Sequence, residues 1–546
     1  MTGARRWRIP DGARTPNPIM VKELRQFARS RVLIGTVLSL LAGLLIAVGG
    51  FAAAQGAKLA LGVGSGTSGG ALFAILLSIL FYTGLFIVPI YCATRLSAER
   101  APGGLDLLFT TALRPGAIVR GKLYAAAAMT LLVYSVALPF LMLTYLLRGI
   151  DLPTILVATA GAFFATVCAA QFGIFFGALP ISRALKIVFF ALFGLQALFA
   201  VPGLFITMAL TPGARSSPLF MMTDDFWSAF GLSAGFGGAW LALFYAAAVT
   251  LLMPPAANRA RPLRATLSGL WAVGGAIACA AAAIHRDSSY LVPWVVFAAL
   301  FCILFILMAT SERWTLGPRV RREIPRARWR RALARPFFSG TVGGLLWALL
   351  VGAITAIVCA LVDRRWPDPE LKDALETLGL ATLYVWGYAM TGIWVWRLLL
   401  GRHVPYRLTW MIALAGVVIG SVIPAIAAVI RETQGYGPGS VQLFNLFALA
   451  DDTYRREHAT VALAFAGLTT LLVAPSLARQ WREFKPYDIS PDNGGFAPSA
   501  LPPLGAAPVF KTPEPPPLPA MNPATASAPA TADADGPNRK PQVDSR

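Results

Sequence analysis

The chain has 546 residues, of which 56% are hydrophobic and only 13% are charged, and its mean hydropathy is +0.64. A soluble domain carries roughly twice that share of charged residues, so the composition excludes the soluble globular class and indicates a polytopic membrane protein. The net charge of +21 is dispersed between apolar runs, which favours a membrane-topology signal over a nucleic-acid-binding surface.

The first 31 residues form a basic segment that contains one amphipathic pattern. Asn17 is suited to cap a helix that has Pro18 at its first position. Apolar side chains follow on one helix face and basic side chains on another, which predicts an interfacial helix with its apolar side in lipid. The alternative is a plain N-terminal extension of the first span. The residues assigned to this interfacial helix are Lys22, Glu23, Leu24, Arg25, Phe27 and Arg29.

The apolar runs predict an all-α membrane protein with about twelve transmembrane helices. With the N-terminus and the C-terminus in the cytoplasm, the inside segments carry a several-fold excess of Lys and Arg over the outside segments, as the positive-inside rule requires. The Pro- and Ala-rich tail 479–546 is predicted to be cytoplasmic and disordered. The three histidines are assigned to loops. The predicted spans are 32–54, 71–94, 123–147, 153–178, 184–210, 228–253, 265–284, 290–310, 340–362, 378–400, 408–430 and 459–478.

The segment 95–122, between the second and third predicted spans, is too polar for lipid. Gly103-Gly104 and Pro115-Gly116 are turn signals that bracket a short apolar patch. The pattern predicts a short cytoplasmic helix offered to a soluble partner, and a basic loop that only anchors topology is the alternative. A GxxxxGK sequence ends at Lys122, but Leu123 follows where a phosphate-binding loop needs Ser or Thr, and the motif leads into an apolar span.

Residues 17–255 resemble the ABC-2 type permeases, the membrane subunits of ABC exporters. The likeness rests on the entry sequence NPIMVKELRQFARSR, on AERAPGGLDLLFTTALRPGAIVRGKL, and on a block of six spans. Gly104 and residues 112–114 depart mildly from the family pattern. The resemblance implies an entry helix along the inner membrane surface and coupling helices that dock on a separate ATPase subunit. It places the following residues at or near that contact: Glu99, Arg100, Gly103, Leu105, Asp106, Leu107, Leu108, Thr110 and Thr111.

The second half of the membrane region, residues 256–478, resembles that family much less. It is either a degenerate second copy or, as preferred here, an appended six-span domain. The two halves share one short similar sequence. Ala-Thr is followed by Ser97-Ala-Glu99-Arg100 in the first half and by Ser311-Glu312-Arg313 in the second. The arginine-rich loop after Glu312 lacks the LDLLFTT block. It is interpreted as a topology anchor that contacts anionic lipid, with a second docking surface as the alternative.

These observations organise the chain into a basic segment (1–31), a six-span permease domain (32–255), a second membrane domain (256–478) and a tail (479–546). The expected function is that of a permease subunit of an ABC exporter in the bacterial inner membrane. The resemblance implies an ABC ATPase and a second permease copy as partners besides membrane lipids, with no nucleic acid. No catalytic, cofactor-binding or metal-binding residue is expected on this chain, because the partner would hold ATP and Mg²⁺.

Two other functions stay open. One is a membrane-embedded enzyme that acts on lipid-linked substrates, and the other is a non-transporting scaffold. An enzyme would need acidic or histidine side chains near the lipid surface. The acidic pairs Asp224-Asp225 and Asp451-Asp452 are its candidates, although paired acids in loops are more often solvated.

Overall fold

The protein is a bundle of α-helices. The computed structural model describes residues 17–60, 69–100, 114–147, 150–182, 184–192, 224–254, 256–312, 315–401, 403–433, 449 and 455–487. These residues contain no β-strand. Eleven of their helices are long and apolar enough to cross a membrane, which confirms the prediction of an all-α polytopic membrane protein.

The helices divide into those before and those after residue 256. The first group comprises α1 (Pro18–Ala28), α2 (Arg31–Ala60), α3 (Gly69–Glu99), α4 (Pro115–Leu146), α5 (Leu152–Ala178) and α6 (Asp224–Leu252). The second group comprises α7 (Ala260–His285), α8 (Val292–Thr310), α9 (Pro318–Arg322), α10 (Arg328–Ala334), α11 (Thr341–Asp363), α12 (Pro369–Val395), α13 (Thr409–Thr433) and α14 (Arg455–Glu483). Residues 184–192 are also helical.

Eleven of the predicted spans coincide with a long apolar helix, and the boundaries differ in an informative way. The remaining predicted span, 184–210, lies partly outside the described residues. The tail residues 488–546 lie wholly outside them. The second span was predicted to end at residue 94, but α3 continues to Glu99. The third was predicted to begin at 123, but α4 begins at Pro115, because proline is well suited to the first position of a helix. The spans therefore extend into both ends of the segment 95–122.

Close backbone packing between α3 and α5 organises the first half. A Cβ atom added at Gly173 would lie 2.4 Å from the Pro89 carbonyl oxygen, and one at Gly177 would lie 2.7 Å from that of Ala93. Only glycine allows such an approach, as small residues do in membrane helix pairs generally. The GxxxG spacing at Gly231 and Gly235 of α6 makes no such contact, because no atom of a described residue lies within 4 Å of a Cβ atom added at either position.

In the second half, α8 is the central helix and packs against α11 and α12. Phe305 of α8 and Trp347 of α11 are buried and in ring contact, with centroids 4.7 Å apart. On the far side of α12, the hydroxyl of Tyr384 lies 3.0 Å from Nδ1 of His458, which is fully buried in α14. The prediction that all histidines lie in loops is therefore wrong for His458, because α14 begins at Arg455, before the predicted span. It is also wrong for His285, which is the last residue of α7.

The arginine-rich segment is more ordered than the predicted loop, since it contains α9 and α10. Its end is held by Arg335, whose guanidinium carbon lies 3.7 Å from the centroid of the Trp481 ring and 4.9 Å from that of Phe484. Burial between these rings lowers the pKa of Arg335 to about 10, so it is charged at neutral pH and forms cation–π contacts. On the outer surface of α10, Trp329 and Leu333 are exposed.

Candidate functional site

The first element of the candidate site is α1, which is anchored on the start of α4. The Asn17 side-chain oxygen caps α1 by accepting from the amide of Ile19 at 3.0 Å, as its sequence position predicts. Its side-chain nitrogen donates to the Ala117 carbonyl of α4 at 2.7 Å. Gly121 leaves the necessary room, because a Cβ atom there would lie 2.9 Å from the Asn17 side-chain nitrogen. One asparagine therefore begins the entry helix and attaches it to the third helix of the chain that spans the membrane.

The most buried face of α1 consists of Ile19, Glu23 and Phe27. Phe27 packs edge to face against Tyr91 of α3, with ring centroids 5.2 Å apart. Met20 and Leu24, predicted to face lipid, are partly buried in the same cluster. The apolar side of α1 thus contacts protein, whereas Lys22, Arg25 and Arg29 are exposed. Contact between α1 and lipid stays a prediction.

At the centre of the site, four charged side chains form a continuous ion-pair network. Lys122 of α4 bonds to Glu23 of α1 and also to Glu99 of α3, whose Oε2 lies 2.8 Å from its Nζ. Glu99 in turn pairs with Lys22 at 2.8 Å. Lys122 and Glu23 are nearly fully buried, whereas Lys22 is half-exposed. Two cations and two anions balance, which satisfies the requirement that buried charges be paired.

This network is located at both ends of the segment proposed to contact an ATPase. Glu99 is the last residue of α3, and Lys122 lies in the second turn of α4. The intervening residues 101–113 lie outside the described ranges. Seven residues assigned to the contact therefore lie outside them as well: Gly103, Leu105, Asp106, Leu107, Leu108, Thr110 and Thr111. The ion pairs join the two flanks of the segment to each other and to α1.

Arg100, the other assigned contact residue that the structure describes, points toward the end of α6. Its guanidinium donates to the Leu251 carbonyl at 3.2 Å, so it neutralises the negative end of that helix dipole. Burial, followed by the nearby positive charge of Arg259, lowers the pKa of Arg100 below its ordinary value. Arg100 thus supports the site by joining the end of α3 to α6.

Lys186 provides a further link at this end of the bundle. Its amine donates to the Ser97 hydroxyl at 2.8 Å and to the Gly177 carbonyl at 3.1 Å. Ser97 also donates to Gly177 at 3.2 Å. The end of α3 therefore contacts α1, α4, α5, α6 and the helical stretch 184–192.

A second buried ion pair occupies a corresponding position in the other half. Glu312 follows α8, just as Glu99 ends α3, and it pairs with Arg264 of α7, which is fully buried. Glu312 also accepts from the Gly340 amide at 2.7 Å, immediately before α11. Arg264 donates to the carbonyls of Pro336 and Phe338 at 2.9 and 2.8 Å. In each half, therefore, the glutamate of the shared short sequence, Glu99 or Glu312, joins the ends of neighbouring helices.

The entry asparagine also has a counterpart. Asn258, before α7, donates to the Phe337 carbonyl at 3.0 Å and accepts from the Ser339 amide at 3.2 Å. In each half, then, an asparagine at the entry bonds to backbone near the start of the third long helix. Sequence reasoning missed both Arg264 and Asn258, because nothing in the local pattern distinguishes them from other basic or polar residues that precede a span.

Within the part of the chain that the structure describes, the remaining sequence candidates do not come together in a second site. Gly116 and Gly121 of the GxxxxGK motif both lie inside α4, so the loop that would surround a phosphate is absent from this described stretch. Asp224 and Asp225 are the first residues of α6, and Asp451-Asp452 lie outside the described ranges. Among the described residues, no group of three or more His, Cys, Asp or Glu could hold a metal ion.

Comparison of the chain with protein-family models, with curated proteins and with solved structures finds no match in any of the three. The function must therefore be inferred from the chain's own residues.

Proposed function

We propose that this chain is the membrane-spanning permease subunit of an ATP-driven ABC exporter. A separate ATPase subunit would bind and hydrolyse ATP, and the chain would convert that work into movement of a substrate across the bacterial inner membrane. The proposal draws on the resemblance of residues 17–255 to ABC-2 type permeases. Both termini would be cytoplasmic, and a second permease copy would complete the transport path.

One observation carries this proposal, namely the contact of Lys122 with both Glu23 and Glu99. The proposed ATPase contact lies between Glu99 and Lys122 in sequence. Separating a buried ion pair leaves an uncompensated charge and costs several kcal/mol. A displacement of segment 101–113 is therefore expected to move α1, the end of α3 and the start of α4 together.

The mechanism assigns conformational rather than catalytic work to these residues. ATP-driven closure of the partner would shift the segment, and the ion-pair network would transmit that shift to the adjacent helices. Such coupling requires that the partner bind one arrangement of the helices more tightly than another. The ion-pair network contributes by making α1, the end of α3 and the start of α4 move together rather than separately.

The proposal is tested by co-purification from the native host in a mild detergent. The test variant is Leu108→Asp, which places a charge in the predicted contact without disturbing the buried network. The matched control is Leu333→Asp, which changes an exposed leucine of α10 in the corresponding segment of the second half. An ABC ATPase should co-purify with wild type and with the control, and Leu108→Asp should remove it.

Two outcomes would contradict the proposal at different points. If no ATPase accompanies any of the three proteins, the exporter assignment fails, and replacing Asp224-Asp225 and Asp451-Asp452 with asparagine would test the enzyme alternative. If an ATPase accompanies Leu108→Asp as well as the control, the exporter assignment stands but the contact lies elsewhere.

A further inference from the structure

The arginine-rich segment between α8 and α11 carries a charge that the proposed function does not use. Residues 318–337 contain eight arginines and one glutamate. Five of these arginines are exposed, and none of the five forms an ion pair with a carboxylate of a described residue. The five exposed arginines are Arg319, Arg322, Arg326, Arg328 and Arg330. The segment therefore presents a concentrated positive charge to something outside the described part of the chain.

The bonds that give the segment its shape are made by other arginine side chains. Arg331 donates to the carbonyls of Pro325 and Arg326 at 3.3 and 2.8 Å, which holds α10 against the turn that precedes it. Arg335, stacked on the aromatic rings at the end of α14, also donates to the Gln480 carbonyl at 3.3 Å. The fold of the segment thus accounts for these two side chains but not for the five exposed arginines.

Contacts with the spanning helices hold the segment at one end of the second half. Val320 of α9 packs in one cluster with Phe338, which precedes α11. The same cluster contains Phe484, which directly follows α14. The segment also continues from the end of α8, so it meets three helices that are apolar enough to cross a membrane. Because the ends of such helices lie near the lipid headgroups, the five exposed arginines lie close to that level.

Aromatic rings orient two of the exposed guanidinium groups. The guanidinium carbon of Arg330 lies 5.0 Å from the centroid of the Trp329 ring, and that of Arg322 lies 5.3 Å from the centroid of Tyr487. A guanidinium that stacks on a ring keeps its N–H groups at the edges, where a phosphate can accept them. Trp329 is itself 63% exposed, and tryptophan is enriched where a membrane meets water. Exposed arginines around an exposed tryptophan are the composition of a membrane-interface anchor.

We propose that the five exposed arginines bind the headgroup phosphates of anionic phospholipids in the surrounding bilayer, with Trp329 at the boundary between headgroups and acyl chains. Opposite charge supplies the attraction, and a guanidinium can donate two parallel hydrogen bonds to one phosphate. A zwitterionic phospholipid also has a phosphate, but its ammonium group offsets the charge, so anionic lipids are preferred. The inference does not depend on the proposed function, because it requires no ATPase.

The test uses the full-length protein in phosphatidylcholine nanodiscs that contain a photoactivatable lipid. One probe is phosphatidylglycerol with a diazirine in its acyl chain close to the glycerol, and the other is phosphatidylcholine with the same chain. After illumination, mass spectrometry measures labelling of the peptide that contains Trp329. Labelling of α13, which has an exposed apolar face, is the reference for general lipid contact. Relative to α13, phosphatidylglycerol should label the Trp329 peptide about tenfold more than phosphatidylcholine does.

Removing two charges tests whether the arginines cause this preference. Arg328→Gln with Arg330→Gln should reduce the preference for phosphatidylglycerol about fivefold. Replacing the same two residues with lysine keeps the charge and should retain most of the preference. The matched control is Arg364→Gln with Arg365→Gln, which removes two exposed charges after the opposite end of α11. This control should label as wild type does.

Three results would overturn the proposal. Equal labelling of the Trp329 peptide by both probes in wild type would show that the segment does not select anionic lipid. An undiminished preference in the glutamine variant would show that other groups cause the selection. Absence of labelling of this peptide by either probe would place the segment away from the bilayer, where its arginines would suit an acidic soluble protein instead.

Discussion

Lys122 Nζ lies 2.8 Å from Glu99 Oε2 and also bonds to Glu23, so that one nearly buried amine joins three helices. The sequence separates Lys122 from Glu23 by 99 positions. The entry helix, the end of α3 and the start of α4 therefore depend on each other for charge neutralisation.

Replacing one member of this buried pair should destabilise the protein much more than replacing both. Lys122→Met leaves Glu23 buried without a cation, at an expected cost of about 3–5 kcal/mol. The double variant Glu23→Met/Lys122→Met removes both charges and should recover a large part of the loss. Thermal unfolding in detergent, followed by loss of the monodisperse chromatographic peak, measures the difference.

A nearby lysine supplies the control for that experiment. Lys22 contacts the same Glu99 but is half-exposed, and exposed pairs contribute only about 0–1 kcal/mol. Lys22→Met should therefore shift the transition little. If Lys22→Met and Lys122→Met were equally destabilising, burial would not be the source of the effect.

The glycine contact between α3 and α5 should tolerate no side chain. At Gly173 a Cβ atom would lie 2.4 Å from the Pro89 carbonyl, so Gly173→Ala must separate the two helices. Overpacking of this kind costs about 1–3 kcal/mol. The same substitution at Gly235, where no atom of a described residue lies within 4 Å, should be neutral or slightly stabilising, because alanine favours a helix more than glycine does. Thermal melting curves of the two variants measure the difference. Equal changes in melting temperature would refute the packing argument.

Loss of Arg264 should loosen the arginine-rich segment. The guanidinium of Arg264 bonds to Glu312 and to the carbonyls of Pro336 and Phe338, which lie directly after that segment. Arg264→Leu leaves these acceptors without their donor, and trypsin should then cut within residues 319–331 several-fold faster. Arg365→Leu, at an exposed site, is the control. Equal cleavage rates in both variants would show that Arg264 does not hold the segment.

The short turn between α7 and α8 should show a pH dependence. Asp287 accepts from the Ser289 amide at 2.8 Å, and this bond lowers the pKa of Asp287 below its ordinary value of 3.8. Its stabilising contribution is therefore complete above pH 3.8 and is lost as the pH falls through the lowered value. The difference in melting temperature between wild type and Asp287→Ala should shrink on acidification from pH 6 to pH 3. The difference in melting temperature between Asp287→Asn and Asp287→Ala should stay constant over this range, because neither side chain titrates. A constant difference between wild type and Asp287→Ala would contradict the assignment.

Local pattern predicted the helices well but not their mutual contacts. The cap at Asn17 and the long apolar runs are local signals, and α1 and the eleven spans occur where they indicate. The burial of Glu23 could not be read from α1, because its partner lies far away in sequence. His458 was misplaced because hydropathy marks where a span becomes apolar rather than where its helix begins. Spacing alone likewise does not distinguish Gly173 and Gly177 from Gly231 and Gly235, although among the described residues only the first pair faces a neighbouring backbone.

The interlocked backbones of α3 and α5 restrict how the first half can move. With Gly173 and Gly177 seated against the carbonyls of Pro89 and Ala93, the helices cannot slide past each other without a clash. The two helices therefore form one rigid unit, and the ion pairs of Lys122 attach α1 and α4 to the end of α3. A motion of the first half consequently has to carry α1, α3, α4 and α5 together.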